Sequence, residues 1–105
     1  MAQFDLHQNP DIRTRAAMPY VIELQVDLLD DLPTCVVAPL VPAATFRGAI
    51  PHLNPILKVE GVPHVLLTQQ LAAIPRRALA APPVSNAEGT RYEIIAAVDF
   101  LVTGI

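Results

Sequence analysis

The side chains able to do chemistry are few and far apart. His7, His52 and His64 are separated by 45 and 12 residues, and none stands at metal-ligand spacing from Cys35 or a carboxylate. A cysteine beside a histidine makes a nucleophile only where the thiolate is favoured. Cys35 lies in the apolar run TCVVAPL, where a charged sulfur is disfavoured, so it reads as core. Asp30 and Asp31 have the form of an acid/base pair, but they follow Leu28 and Leu29 and precede Pro33, where acidic residues open a turn. The chain has four glycines and no glycine-rich phosphate loop among them. Arg76-Arg77 reads as a solvated basic turn. No catalytic residue, metal ligand or cofactor site is assigned, and the chain is expected not to be an enzyme.

The elements that would position these residues are short. Ala2 to His7 alternates like a strand, with Phe4 and Leu6 on one face. Asn9 to Pro19 is a loop with two prolines and two arginines. In Tyr20 to Leu28 the residues Ile22, Leu24, Val26 and Leu28 face one way and Glu23, Gln25 and Asp27 the other, a half-exposed antiparallel strand. A turn at Asp30, Asp31 and Pro33 leads to a buried strand, Thr34 to Leu40. Pro39, Pro42, Pro51 and Pro55 exclude a long helix from the middle of the chain. Ile56–Val59 and Pro63–Thr68 flank Glu60-Gly61 as a tight hairpin, and Gln69 to Ile74 forms a short helical turn before Pro75.

The longest helical pattern comes last, in SNAEGTRYEIIAAVDFLVTGI. Ser85 with Glu88 has the form of a capping box. Ile94, Val98, Leu101 and Ile105 then recur as an apolar stripe, with Ile95 and Val102 beside it. Glu88, Tyr92, Asp99 and Thr103 lie on another arc. A helix closing on Gly104 and Ile105 would set a flexible residue, an apolar knob and a carboxylate at the molecular edge, which suits contact with a macromolecule. The pattern is α+β, four or five antiparallel strands and a C-terminal helix.

Composition narrows the function classes. The 105 residues make one domain, 1–105. Only 16% are charged and 52% are apolar, so on a chain this small some apolar surface stays outside the core and favours a homodimer. Net charge −3 and the absence of tryptophan disfavour direct nucleic-acid binding. One cysteine fits a reducing compartment. With no apolar run of membrane length and no leader-like N-terminus, a cytoplasmic protein without membrane contact is expected.

In its order of motifs the chain resembles the CcdB family of toxins from bacterial toxin–antitoxin modules. The likeness runs from Gln3-Phe4 through Val26-Asp27-Leu28-Leu29-Asp30, similar to the family's two aliphatics between aspartates, and Val37-Ala38-Pro39-Leu40, similar to its strand ending in Ile-Pro-Leu. Leu67 to Pro75 parallels a Thr-rich turn closing on Val-Pro, and Ser85/Glu88 with Gly104-Ile105 complete the series. The resemblance implies an SH3-like barrel, shared with the MazF-type toxins, with a small accessory sheet and a C-terminal helix, assembled as a homodimer with Leu101 near its axis. It implies binding to the A subunit of DNA gyrase, trapping the cleaved-DNA complex. A cognate antitoxin with a disordered tail would neutralise the toxin, and their complex would repress its own operon, the sole contact with DNA.

By the same resemblance, the target-binding residues are Leu28 and Leu29 with the helix end. The family ends in Asn, two apolar residues, Phe, and Trp-Gly-Ile; here these are Asp99, Phe100, Leu101, Val102, Thr103, Gly104 and Ile105. Thr103 and Val102 thus replace two aromatic anchors, each worth about 2 kcal/mol or more in a typical interface, and weak poisoning of a standard gyrase is expected. Arg13 and Arg15 in the 9–19 loop are the candidate antitoxin contacts, suited to carboxylates of an acidic tail that orders on binding. Two alternatives stand beside this. One is a MazF-like endoribonuclease, which needs Arg13, Arg15 or Arg47 to meet a proton acceptor in a groove. The other is a non-toxic homologue that binds the antitoxin.

Overall fold

The computed structural model describes residues 2–104. Its seven strands are β1 (Asp5–Gln8), β2 (Tyr20–Glu23), β3 (Thr34–Pro42), β4 (Ile56–Val59), β5 (Val62–Leu66), β6 (Ala72–Pro75) and β7 (Ser85–Asn86), followed by the helix α1 (Arg91–Thr103). The strands join antiparallel in the order β4-β5-β3-β2-β1-β7, with β6 also on β3. The sheet curls into a nearly closed barrel with a C-terminal helix, the expected α+β arrangement.

Strand β3 is the spine because both of its faces are apolar. Ala38 and Leu40 join Phe4, Leu6, Ile22, Leu57, Val59, Leu66 and Ile94 in the main core. Cys35 and Val37 point the other way, to Val21 and Leu79. Along one edge β3 pairs first with β6, over Thr34 to Val37, and then with β5, over Leu40 to Pro42. Pro39 sits in the break between these partners. Its carbonyl still accepts from the Leu67 N–H at 2.9 Å, and its missing N–H falls where neither partner needs a donor. The β4–β5 hairpin turns through Glu60 and Gly61 at φ 51° and 82°, the paired positive values of a type I′ turn.

Three local expectations are corrected. Strand β2 ends at Glu23 instead of running to Leu28, because the Gln25 side chain takes over the pairing. Its Oε1 accepts from the Val36 N–H at 3.1 Å, and its Nε2 donates to the Thr34 and Leu29 carbonyls at 3.2 and 3.3 Å. Residues Asp27–Leu29 form a 3-10 turn. Ser85 and Glu88 make no capping box: Ser85 pairs with Leu6 as an edge strand. The chain enters α1 through a 3-10 turn, Glu88–Thr90, started by Asn86, whose Oδ1 accepts from the Glu88 N–H at 2.8 Å. The expected helical turn before Pro75 is confined to Thr68–Gln70, and Ala72–Pro75 is β6.

Candidate functional site: exposed apolar tips around a buried charge cluster

The turn between β2 and β3 carries an unusual load of solvent-facing aliphatics. Leu28 is 87% exposed, and Val26, Leu29 and Leu32 also face solvent. Exposed leucine on a slack loop would fold back; here the backbone is fastened from three sides. Gln25 grips it as described, Asp27 Oδ1 accepts from the Gln3 N–H at 2.7 Å, and Arg76 Nε donates to the Leu32 carbonyl at 3.2 Å. An apolar knob held in place in water is a preorganised protein-contact feature.

The end of α1 offers a second tip. Only Ile94 and Ala97 of the helix are fully buried, with Val98 half-buried. Leu101 is 37% exposed and Val102 74%, so the predicted stripe leaves the core within its last turn. A second stripe, Tyr92, Ile95, Asp99 and Val102, at steps of three, four and three, faces solvent throughout. Gly104 closes the helix at φ 76°, donating to the Phe100 carbonyl at 2.9 Å, a left-handed cap that needs no side chain. Thr103 Oγ1 donates to the Asp99 carbonyl at 2.7 Å, so its hydroxyl is already used. Ile105 lies outside the described residues. Gln3 links the 27–29 turn to the start of α1, through its N–H to Asp27 and its Oε1 to Arg91 at 3.2 Å. These bonds tie Leu28 and Leu29 to the beginning of the helix, not to the end carrying Asp99, Val102, Thr103 and Gly104.

In the 9–19 loop the two arginines differ. Arg13 is 86% exposed and pairs with Asp11 at 3.2 Å; this contact holds the Asp11 carboxyl below its usual range and raises the guanidinium. Arg15 is half-buried, and its Nε donates to the Asn9 carbonyl at 2.8 Å. It lines a pocket of about 280 Å³ with His7, Gln8, Pro10 and residues from the 78–84 segment. An arginine and an imidazole therefore line one pocket, each with a ring or guanidinium nitrogen already engaged, Arg15 Nε by the Asn9 carbonyl and His7 Nε2 by Glu23.

Behind that pocket lies a cluster that the spacing of residues does not reveal. His7 Nε2 is 2.7 Å from Glu23 Oε2, both almost wholly buried. Arg76 Nη1 lies 3.8 Å from Glu23 and 3.7 Å from Asp30, buried with no hydrogen-bond partner of its own among the described residues. Glu23, expected to face solvent, is thus roofed by the 76–79 segment, and Arg76 is an ion-pair partner instead of a solvated turn residue. The buried Cys35 Sγ sits 3.6 Å from Glu23 Oε1. Burial first, and then Glu23, push its thiol up to about 11, so it stays protonated and inert, as core. Asp5, His7 and Glu23 each bring a donor atom within 4.8 Å of the others, which the sequence separation of His7 and Glu23 hides. Asp5 is already engaged by the Ala2 N–H at 2.7 Å and Asn86 Nδ2 at 3.0 Å, and His7 by Glu23. These donors tie β1, β2 and β7 together. His52 and His64 lie elsewhere, against Phe100 and Tyr20.

No helix among the described residues is long and apolar enough to cross a membrane. No curated protein matches the sequence. The sequence model of the family described as CcdB protein matches residues 3–104, spanning both apolar tips, the 9–19 loop and the buried cluster. The chain belongs to the CcdB family, toxins of toxin–antitoxin modules.

Proposed function

We propose that this chain is a toxin subunit that acts on the A subunit of DNA gyrase through its apolar tips, Leu28 and Leu29 on the turn and Asp99, Val102, Thr103 and Gly104 on the helix end, with Ile105 following. The observation that carries this reading is Leu28, held 87% exposed on a braced turn. A leucine kept in water contributes nothing to its own core, and it gains about 2 kcal/mol when a partner covers it. A cognate antitoxin neutralises the toxin by laying acidic side chains on the 9–19 loop, where Arg13 is the accessible cation and Arg15 the recessed one. Together the two proteins repress their operon, and the acidic toxin contacts DNA only through that complex.

The test is expression in growing cells with cleaved gyrase–DNA complex and RNA integrity followed together. Accumulation of the cleavage complex with intact RNA, lost on deleting Gly104 and Ile105 or on Leu28→Asp, is the expected outcome. Fragmented RNA without the complex would favour the ribonuclease reading. Normal growth, with antitoxin binding that Arg13→Glu and Arg15→Glu weaken, would identify a non-toxic antitoxin-binding homologue.

A further inference from the structure

We propose that the pocket between the 9–19 loop and the 78–84 segment binds a free, short-chain aliphatic monocarboxylate. Its volume is about 280 Å³, just under the range that holds drug-sized molecules, so the ligand is small. Six of its nine lining residues are apolar, with Pro10 on one side and Ala78, Leu79, Ala81, Pro82 and Val84 on the other. That wall calls for a hydrocarbon body. The charge at the rim calls for a single negative head. Arg15 uses its Nε on the Asn9 carbonyl, and no carboxylate among the described residues lies within ion-pair distance of it. The nearby Asp11 carboxylate is instead taken by Arg13. The terminal guanidinium nitrogens of Arg15 are thereby left to donate a paired hydrogen bond, the arrangement that matches a carboxylate.

Gln8 lines the same mouth, and His7 forms part of the lining with its Nε2 fixed on Glu23. A dianionic phosphate fits less well. It would need to be neutralised by one arginine, with the Glu23 carboxylate just behind His7 and a net charge of −3 around it. The site is independent of the gyrase-binding surface, since neither Leu28 nor the end of α1 lines it.

The test is a titration of the full chain with pentanoate, followed by ¹H–¹⁵N chemical shifts, including the Arg15 Nε–H signal. Pentanamide, inorganic phosphate and a blocked peptide carrying one glutamate are titrated alongside. Saturable shifts at His7, Gln8, Arg15 and residues 78–84 with pentanoate at millimolar concentration are expected. The amide, which keeps the shape and loses the charge, should bind about tenfold or more weaker, the loss typical of one charge-assisted contact. Arg15→Gln should weaken pentanoate by a similar factor, and Ala78→Leu, which fills the apolar wall without touching the loop, should abolish binding. Equal affinity for acid and amide, tighter binding of phosphate, or shifts seen only with the peptide would each overturn the proposal. So would the absence of saturable shifts in the unmodified protein.

Discussion

Glu23 shows how far a single residue can depart from what its neighbours in sequence suggest. It ends the run Tyr20-Val21-Ile22-Glu23, where alternation puts Ile22 inward and Glu23 outward. Ile22 does enter the main core, yet Glu23 is 2% exposed, because the sheet has a second covered face that one strand's alternation cannot disclose. The carboxylate stands between His7 and Arg76. Removing it in Glu23→Ala leaves the buried Arg76 charge with only the solvent-screened surface group Asp30, so a loss of about 3 kcal/mol in stability is expected, measured by urea unfolding. A loss below about 1 kcal/mol would mean that the cluster is relaxed by water. Cys35 provides a pH prediction. Its thiol ionises near 9.0 when unfolded and at about 11 when folded. The folded protein thus keeps a proton that the unfolded chain gives up. This contribution is fully present below about pH 9 and falls away as pH rises to about 11. Unfolding curves across that window should show a decline that Cys35→Val reduces. Thiol reagents at neutral pH should react only on unfolding.

At the scale of elements, local chemistry was legible wherever it acts alone. The Glu60-Gly61 hairpin was readable because two β-rich runs flank the turn residues. Strand β3 was readable from its unbroken apolar run, and α1 from its period. The failures come where a distant element competes. Ser85 and Glu88 satisfy the spacing of a capping box, but the free edge of β1 recruits Ser85 and Asn86 as β7, and Asn86 inherits the turn. Asn86 accepts from the Glu88 N–H and donates to Asp5 and to the Gln3 carbonyl. Asn86→Ala is therefore expected to cost about 1–2 kcal/mol, and Ser85→Ala less than about 0.5 kcal/mol, by thermal or chemical unfolding. The reverse order would restore the capping box. The aliphatic pair Leu28-Leu29 was legible as a motif between aspartates, whereas strand alternation set Val26 and Leu28 on the apolar face with Ile22 and did not disclose their exposure. Nor was their bracing legible, since two of its three holds come from Gln3 and Arg76, which lie 24 and 44 residues from their partners.

At the scale of the whole molecule, large apolar side chains remain exposed on several elements among the described residues. Tyr92, Ile95, Leu101 and Val102 on α1, and Ile50, Ile56 and Val62 elsewhere, all face solvent. We expect a homodimer with Leu101 in its interface. Sedimentation at micromolar concentration should give twice the chain mass, and Leu101→Asp should give monomer that keeps its folded spectrum. A monomeric parent protein would contradict this. Under the proposed function the surface left over is the target surface, and weak binding is expected of it because the small Thr103 side chain bonds back to Asp99 and offers a partner no wedge. Killing is expected to operate through contact at these tips, and an assay with purified gyrase checks it. Cleaved-DNA complex is quantified with the parent chain, Thr103→Trp, and Leu28→Asp. A low yield is expected for the parent, at least about tenfold higher potency for Thr103→Trp, and none for Leu28→Asp at unchanged fold. Potent trapping by the parent that neither substitution alters would contradict this expectation.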